Sequence, residues 1–267
     1  MKYRYLREKI AELAIKITGY YPAIKNLFSK FIRISYFLPP TINQSNKSRF
    51  LQLKFNKKAD SLYLPFESRQ RPCKTAIITG ATSGIGKAFA VYFAKHGYNL
   101  VITGRRKEII QRVAEEIKNT YGVNVEVIIA DLSKKEDLSA VLKAIGRLKS
   151  VDVLINNAGY GTGIRFAEDD INNQLSMLRV HVDAPLMLIH KVLPGMMHKK
   201  SGIIINVSSL SAFTPTARNA LYASTKLFLK NFSESLYMDV SQYGIKVQCL
   251  CPGFTRSDFH RNRNTNF

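Results

Sequence analysis

The stretch Lys74–Lys87 limits the possible folds of this chain more than any other segment. Its sequence, KTAIITGATSGIGK, runs from a short apolar segment into a turn with glycines at 80, 84 and 86, and a helical pattern follows. Gly80 permits a tight turn, Gly84 lets backbone approach a pyrophosphate, and Gly86 lets the helix pack closely on the sheet. The free N–H groups at the start of the helix favour phosphate. The stretch therefore predicts a strand–turn–helix unit that binds a dinucleotide.

Strand-like and helical patterns alternate from Lys74 onward. Apolar strands that alternate with helices predict a parallel sheet with right-handed crossovers and helices on both faces. We therefore expect an α/β, doubly wound, Rossmann-like domain over residues 74–267. The predicted strands are Thr75–Thr79, Asn99–Thr103, Asn124–Ala130, Val151–Asn156, Gly202–Val207 and Lys246–Leu250. The predicted helices lie near 84–96, 106–121, 135–148, 166–199 and 219–242.

The positive charge of the chain is concentrated before this domain. The formal net charge is +21, and residues 1–74 hold 16 Lys and Arg against four Asp and Glu. Such an excess suits an anionic membrane surface, nucleic acid or an acidic partner, and it also suits a solvated basic extension. The basic residues form no stripe interleaved with aromatic residues, so we expect no nucleic-acid binding.

Residues 1–40 are predicted to form a basic extension with two amphipathic helices within residues 1–38, followed by a linker over 41–73. One face of the second helix carries Ile24, Leu27 and Phe31, and the opposite face is polar and basic. A face of this kind binds a membrane interface, or packs on the main domain or on a second subunit. An organellar presequence is disfavoured by Glu8 and Glu12. No run is long enough to span a membrane, and no secretory signal is recognisable.

Cysteine usage indicates a reducing compartment. The three cysteines, Cys73, Cys249 and Cys251, are too few and too irregularly spaced for a disulfide framework or a zinc site. We therefore expect no metal site and a cytoplasmic location. Peripheral association with a membrane through residues 1–38 is compatible with that location.

Charged residues follow the second and third predicted strands. Dinucleotide-binding domains commonly have an acidic residue after the second strand, but this chain has Arg105 and Arg106. Their planar guanidinium groups suit a 2′-phosphate, which favours NADP over NAD. Asp131, after the third strand, suits an adenine amino group, or equally caps the following helix.

The fourth and fifth strands end in small and polar residues. Asn156-Asn157-Ala158-Gly159 forms either an ordinary turn or a close approach to a cofactor. Ser208 and Ser209 end the fifth strand. Tyr222 and Lys226 lie four apart at the start of the next helix, and therefore on one helical face. An ammonium beside a phenol is expected to lower the pKa of the tyrosine toward working pH.

Taken in order, these residues resemble the classical short-chain dehydrogenase/reductase superfamily. The resemblance covers about residues 73–260. It rests on these pieces: Thr79-Gly80-x-x-x-Gly84-x-Gly86, Asn156-Asn157-Ala158-Gly159, Ser209, Tyr222-x-x-x-Lys226 and Pro252-Gly253.

The resemblance implies a role for each matched residue. Tyr222 is the expected proton donor to a carbonyl, Lys226 supports it and holds the nicotinamide ribose, and Ser209 positions the carbonyl oxygen. Ser208 is the adjacent alternative for the serine, although the spacing favours Ser209. Expected cofactor contacts are Gly80, Thr82, Ser83, Gly84, Ile85, Gly86, Arg105, Arg106, Asp131, Leu132, Asn157, Ala158, Gly159, Tyr222, Lys226, Pro252, Gly253 and Thr255.

Two features depart from the family pattern. His181 occupies the position where the family usually has a catalytic asparagine that supports a proton-relaying water. It is either a substitute that bonds backbone or water, or a passive replacement in a weakened enzyme. Only 14 residues follow Gly253, whereas the family continues with a substrate-covering helix pair and a last strand. The C-terminal part of the fold is therefore expected to be short. Either the chain is a truncated product or a fragment, or the basic extension, including Leu51–Phe55, covers the sheet edge that is left bare.

The sequence as a whole favours an NADP(H)-preferring oxidoreductase that acts on a carbonyl or alcohol. Two aromatic residues near the site, Phe213 and Phe254, favour an apolar or lipid-like substrate, as do the amphipathic helices predicted within residues 1–38. The long helices resemble those that pair subunits in the family, so a homo-oligomer is expected. The alternative is an NADP(H)-binding protein without turnover that acts as a sensor or as a partner subunit.

Overall fold

The structure, a computed structural model, describes residues 74–255 as alternating strands and helices around one parallel sheet. The strands are β1 (Thr75–Thr79), β2 (Asn99–Gly104), β3 (Val125–Ile129), β4 (Val153–Asn156), β5 (Gly202–Val207) and β6 (Ile245–Leu250). The α-helices are α1 (Gly84–Lys95), α2 (Lys107–Tyr121), α3 (Lys135–Gly146), α4 (Ile171–Leu178), α5 (Ala184–His198) and α6 (Ala220–Val240).

The strand order is β3-β2-β1-β4-β5-β6, with parallel pairing throughout. The chain winds outward from β1 to β3, returns to place β4 beside β1, and then winds the other way. This is the doubly wound order, and ligands of such sheets bind at the carboxyl ends of the strands beside the reversal between β1 and β4. The predicted Rossmann-like fold is confirmed.

Alternation along the central strands divides the core into two layers. Ala76 and Ile78 of β1 belong to one apolar cluster, with Phe89 and Phe93 of α1. Ile77 points to the opposite cluster, which is shared with α3, α5 and α6. Because both faces of the sheet are covered, its strands are apolar at successive positions rather than at every second one.

The helix predicted over 166–199 is shorter and interrupted. It begins at Ile171, because the carboxylate of Asp170 accepts a hydrogen bond from the Asn172 N–H and caps the first turn. Between α4 and α5 the chain forms a π-helical turn, Arg179–Asp183. Pro185 follows this turn and has no N–H to donate to the carbonyl of His181, which favours the wider turn.

The predictions for residues 1–40 and 41–73 lie outside the described residues, as does the chain after Thr255. Within 74–255, none of the helices combines the length and the apolar character needed to cross a bilayer. The same residues contain no group of three or more potential metal-ligating side chains.

Candidate functional site

The glycine turn joins β1 to α1 with little space for any side chain. Gly80 has φ +67°, and Gly84 has φ +55°, both in the left-handed region. A Cβ on Gly86 would lie 2.2 Å from the Gly80 carbonyl oxygen. Ser83 is the N-cap residue of α1, and within residues 74–255 its side chain accepts no capping hydrogen bond from the first turn of that helix. The turn therefore brings backbone and a helix N-terminus to the carboxyl edge of the sheet.

Thr79 and Asn157 tie the ends of β1 and β4 together. The Thr79 hydroxyl accepts hydrogen bonds from the backbone N–H groups of Asn157 and Ala158, both at 3.0 Å. The Asn157 amide donates in turn to the carbonyl oxygens of Thr79, at 2.9 Å, and Gly80, at 3.0 Å. The side chain of Asn157 therefore holds the turn in shape, which the sequence did not predict.

Arg105 and Arg106 stand on the rim of the cleft after β2. Arg106 donates to the hydroxyls of Thr82 at 2.9 Å and Ser83 at 3.0 Å, so its guanidinium group lies beside the glycine turn. The guanidinium of Arg105 lies 5.5 Å from the centre of the Tyr160 ring. Both positive side chains thus line the cleft, and Arg106 also borders the glycine turn.

Asp131 does not cap the helix that follows β3. The N-cap of α3 is Lys134, and the Asp131 carboxylate accepts from the backbone N–H and hydroxyl of Ser133. It also lies 3.7 Å from Arg105. Burial opposes ionisation, but the hydrogen bonds from Ser133 and the charge of Arg105 outweigh burial and lower the pKa of Asp131. Asp131 is therefore an ionised group that shares the rim with Arg105.

The two serines after β5 have different environments. Ser208 is buried, and its hydroxyl donates to the carbonyl oxygen of Lys226 at 2.6 Å. Ser209 is half-buried, and its hydroxyl accepts from the Ser211 N–H at 3.1 Å. Ser208 thus fixes the helix behind the site, whereas Ser209 keeps its hydroxyl proton available for another acceptor.

Tyr222 and Lys226 occupy the first two turns of α6, and both are buried. The Lys226 ammonium donates to the Val207 carbonyl oxygen at 2.9 Å and lies 5.7 Å from the centre of the Tyr222 ring. Burial lowers the pKa of Lys226 to about 8, although negative charge on the nearby sulfurs of Cys249 and Cys251 acts in the opposite direction. The lysine is therefore a buried cation beside the phenol, with a pKa close to working pH.

His181 is fully buried in the π-helical turn and has hydrogen-bond partners at both ring nitrogens. The Tyr160 N–H points at Nε2 at 3.1 Å, so Nε2 is the acceptor. Nδ1 then carries the proton and donates to the Thr225 hydroxyl at 2.9 Å. The Thr225 hydroxyl donates to the carbonyl oxygen of Tyr222 at 2.8 Å. Burial and the Lys226 charge hold the pKa of His181 well below its usual value.

One cleft of about 740 Å³ lies at the carboxyl edge of the sheet. Of the predicted site residues, all but Gly86 and His181 line it. Gly86 lies beneath the glycine turn, and His181 lies behind Gly159, where a Cβ would come within 2.9 Å of the His181 Nε2. Ser209, Tyr222 and Lys226 share the cleft with the glycine turn and both arginines.

Tyr160 and Thr225 belong to the structure of the site, although sequence patterns did not single them out. Tyr160 lines the cleft, contacts Arg105 through its ring, and binds His181 through its backbone. Thr225 joins His181 to the helix that carries Tyr222. The position of Thr225, next to Lys226 in the helix, was the one available signal.

A family model described as "short chain dehydrogenase" matches residues 74–266. The chain belongs to this family. The predicted membership in the short-chain dehydrogenase/reductase superfamily is therefore confirmed.

Two relatives indicate how functions vary around this short-chain dehydrogenase. It is 35% identical, over 179 residues, to human "Inactive hydroxysteroid dehydrogenase-like protein 1", covering 66% of this chain and 54% of that protein. It is 33% identical, over 196 residues, to the very-long-chain 3-oxoacyl-CoA reductase of Anas platyrhynchos, covering 72% of this chain and 63% of the duck protein. The chain thus spans about half the length of the human relative and under two thirds of the duck one.

A solved structure supports the same placement within the short-chain dehydrogenases. The short-chain dehydrogenase of Sphingobium yanoikuyae, in complex with NADPH, superposes with a TM-score of 0.70 at 31% identity. The match covers 72% of this chain and 75% of that chain.

Proposed function

We propose that this chain is an NADP(H)-preferring oxidoreductase that reduces a carbonyl or oxidises the corresponding alcohol. One observation carries the proposal: Ser209, Tyr222 and Lys226 line the same cleft as the glycine turn and its two arginines. When bound there, a reduced nicotinamide supplies the hydride. The chain supplies the proton, the orientation of the carbonyl, and the charge around it.

Each residue has a defined part in this scheme. The Tyr222 hydroxyl donates a proton to the carbonyl oxygen as that oxygen gains negative charge. The buried ammonium of Lys226 stabilises the phenolate that remains, because both residues are shielded from bulk water. The Ser209 hydroxyl donates to the same carbonyl oxygen and orients it.

The fit of NADP(H) to the cleft rests on the shape of the glycine turn and on charge. Gly80, Gly84 and the start of α1 offer backbone to a pyrophosphate without a side chain in the way. Arg105 and Arg106 offer cationic groups on the rim where an acidic residue would instead bind ribose hydroxyls. Two charge-assisted contacts of this kind favour a 2′-phosphate.

The mouth of the cleft supports an apolar substrate. Phe254 lines the cleft and is 81% exposed, and Leu210 also lines it and is 48% exposed. Phe213 does not line the cleft itself, but is 48% exposed next to Leu210. Apolar side chains held in water around a polar centre suit a ligand that carries a long apolar group beside its carbonyl.

The second candidate function is an NADP(H)-binding protein without turnover. The His181 network favours it, because both ring nitrogens are already bonded to protein atoms and neither is available to hold a water near Lys226. One relative is itself named as inactive. Retention of the Ser209, Tyr222 and Lys226 set favours the enzyme.

Titration with NADPH and NADH, followed by NADPH oxidation with ketones and aldehydes of increasing chain length, separates the two functions. If the chain is an enzyme, it should bind NADPH more tightly than NADH. Its turnover should rise with the length of the apolar chain on the carbonyl substrate. Binding without oxidation of any carbonyl would support the sensor or partner function. Failure to bind either dinucleotide would refute both.

Three further assignments remain proposals: a cytoplasmic location, membrane contact through residues 1–38, and a homo-oligomer. Exposed apolar side chains on the long helices, Met187 on α5 and Leu227 and Met238 on α6, support an oligomer. Sedimentation with anionic liposomes before and after deletion of residues 1–40 tests the membrane contact, and the mass in solution tests the oligomer.

A further inference from the structure

Two cysteines that the proposed chemistry does not use lie side by side behind the cleft. Cys249 belongs to β6, and Cys251 follows two residues later, just past the end of the strand. Their sulfur atoms are 3.8 Å apart, and both residues are half-buried. The separation of two residues directs both side chains to one face of the strand, the face that packs on α6.

The surroundings of the pair favour one thiolate hydrogen-bonded by one thiol. The thiol of Cys249 donates to Cys251, and the positive charges of Lys230 and Lys226 act on it. These contacts lower the pKa of Cys251 against the effect of burial. The hydrogen bond to Cys251, together with burial, raises the pKa of Cys249. The pair therefore combines a nucleophilic sulfur with a second thiol within reach.

The two cysteines differ in how firmly the backbone holds them. Cys249 is paired with Asn206 in the β5–β6 ladder. Cys251 lies outside the ladder and leads directly into Pro252 and Gly253, which line the cleft. The carbonyl oxygen of Pro252 accepts the Leu210 N–H at 3.0 Å, next to Ser209. A movement of Cys251 is thus transmitted to the wall of the cleft beside Ser209.

We propose that Cys249 and Cys251 form a reversible dithiol–disulfide site that hydroperoxides oxidise, and that closure of the disulfide weakens dinucleotide binding. The Cys251 thiolate attacks the peroxide O–O bond, forming an S–O bond and releasing water or an alcohol once a proton is supplied. The Cys249 thiol then attacks this sulfenic acid, the S–S bond forms, the S–O bond breaks, and water leaves. The two sulfurs lose two electrons in total, and the peroxide gains them.

Closure requires a displacement on the Cys251 side. A disulfide holds its sulfurs about 2.05 Å apart, so the present 3.8 Å separation must shrink. Cys249 is held by its pairing with Asn206 in the β5–β6 ladder. The segment from Cys251 to Gly253 is therefore the part that moves. Because Pro252 and Gly253 of this segment line the cleft, we expect the Kd for NADPH to rise several-fold. This consequence rests on the proposed function, whereas formation of the disulfide does not.

The test uses the full chain with Cys73→Ser, so that the pair holds its only thiols. After treatment with hydrogen peroxide, the free thiols are quantified by maleimide labelling. The mass of the intact protein is measured before and after addition of a dithiol reductant. NADPH titration follows on the same samples. Cys249→Ser and Cys251→Ser, each in the Cys73→Ser background, receive the same treatment and report peroxide effects at methionines.

The expected result is loss of both thiols, a monomer mass lower by two hydrogen atoms, weaker NADPH binding, and recovery of all three with reductant. The single-cysteine variants should keep their NADPH affinity after peroxide. Two free thiols after treatment, or only sulfinic acid and intermolecular dimers, would overturn the site. A disulfide that leaves the NADPH Kd unchanged would overturn its link to the cleft. Absence of NADPH binding in the reduced protein would count against the proposed function instead.

Discussion

The Nδ1 of His181 lies 2.9 Å from the hydroxyl of Thr225, the residue that immediately precedes Lys226 in helix α6. The histidine therefore anchors the helix that carries Tyr222 and Lys226, and its Nε2 anchors Tyr160 at the edge of the cleft. It links the two sides of the site through direct protein contacts, with no exposed atom of its own.

The first prediction concerns the pH dependence of stability. His181 is buried and neutral with its pKa well below the usual value, whereas in the unfolded chain it takes up a proton near pH 6.5. Stability from this residue is therefore complete above about pH 6.5. It is lost as the pH falls, by up to about 1.4 kcal/mol per pH unit. Denaturant midpoints between pH 5 and 8 measure the slope.

Two variants isolate the contribution of His181. His181→Asn should lower stability at neutral pH, because asparagine is too short to make both hydrogen bonds, but it should flatten the loss below pH 6.5. His190→Asn, at an exposed position on α5, should leave the wild-type slope unchanged. An equal slope in the wild type and in His181→Asn would contradict a neutral, buried histidine.

Tyr222→Phe removes the proposed proton donor and keeps the aromatic ring. We expect turnover to fall by about 10²–10⁴-fold, while the Kd for NADPH stays within several-fold, because the ring and its packing remain. Tyr237→Phe is the matched control, on the same helix but 44% exposed. Carbonyl reduction that survives in Tyr222→Phe would rule out the acid role of the phenol.

Arg105→Asp tests the preference for the phosphorylated cofactor. A charge-assisted hydrogen bond contributes about 1.5–3 kcal/mol, and we expect the ratio of NADPH to NADH affinity to fall by about 10-fold or more. Arg112→Asp makes the same charge change on the outer face of α2, where Arg112 contacts the Glu108 carbonyl oxygen. Equal ratios in the two variants would place Arg105 outside the phosphate site.

The pKa of about 8 at Lys226 predicts the alkaline limb of the rate. The ammonium form supports the phenolate, so kcat/KM for NADPH should be level below about pH 8 and fall above it, approaching tenfold per pH unit. In an ordered reaction in which NADPH binds first, kcat/KM for NADPH reports the free protein, so the limb should match this pKa. Lys230→Arg, one turn further along α6, should leave the limb in place. A level profile beyond about pH 9 would contradict the assignment.

Features that depend on local sequence were predictable. The strand Gly202–Val207 is continuous and apolar because both faces of the sheet are covered, and its bounds were predicted correctly. The turn at Gly80 was predictable because its backbone adopts a conformation that few other residues accept. Lysine four residues after tyrosine identified one helical face without any structure.

Features that depend on distant contacts were not predictable. The bonding of His181 joins residues 21 positions before it and 44 after it. No local pattern encodes those partners, so the sequence left both of its roles open. The proximity of Cys249 and Cys251 to Lys226 arises only when β6 packs on α6. The π-helical turn likewise reflects Pro185 acting on a carbonyl four residues earlier.

The last prediction compares two glycines in helices. A methyl group on Gly86 would meet the Gly80 carbonyl oxygen at 2.2 Å and the Asn157 amide at 2.4 Å, and the strand and turn that hold these atoms cannot easily move. Gly86→Ala should therefore lower the melting temperature and abolish NADPH binding, because it pushes α1 away from the glycine turn.

Gly195, inside α5, has nothing within 4 Å of the same methyl position. Gly195→Ala should instead raise stability by about 0.5–1 kcal/mol, since alanine favours a helix over glycine. Thermal unfolding and NADPH titration of both variants measure the contrast, and a Gly86→Ala protein that binds NADPH as the wild type does would refute the close packing at the turn.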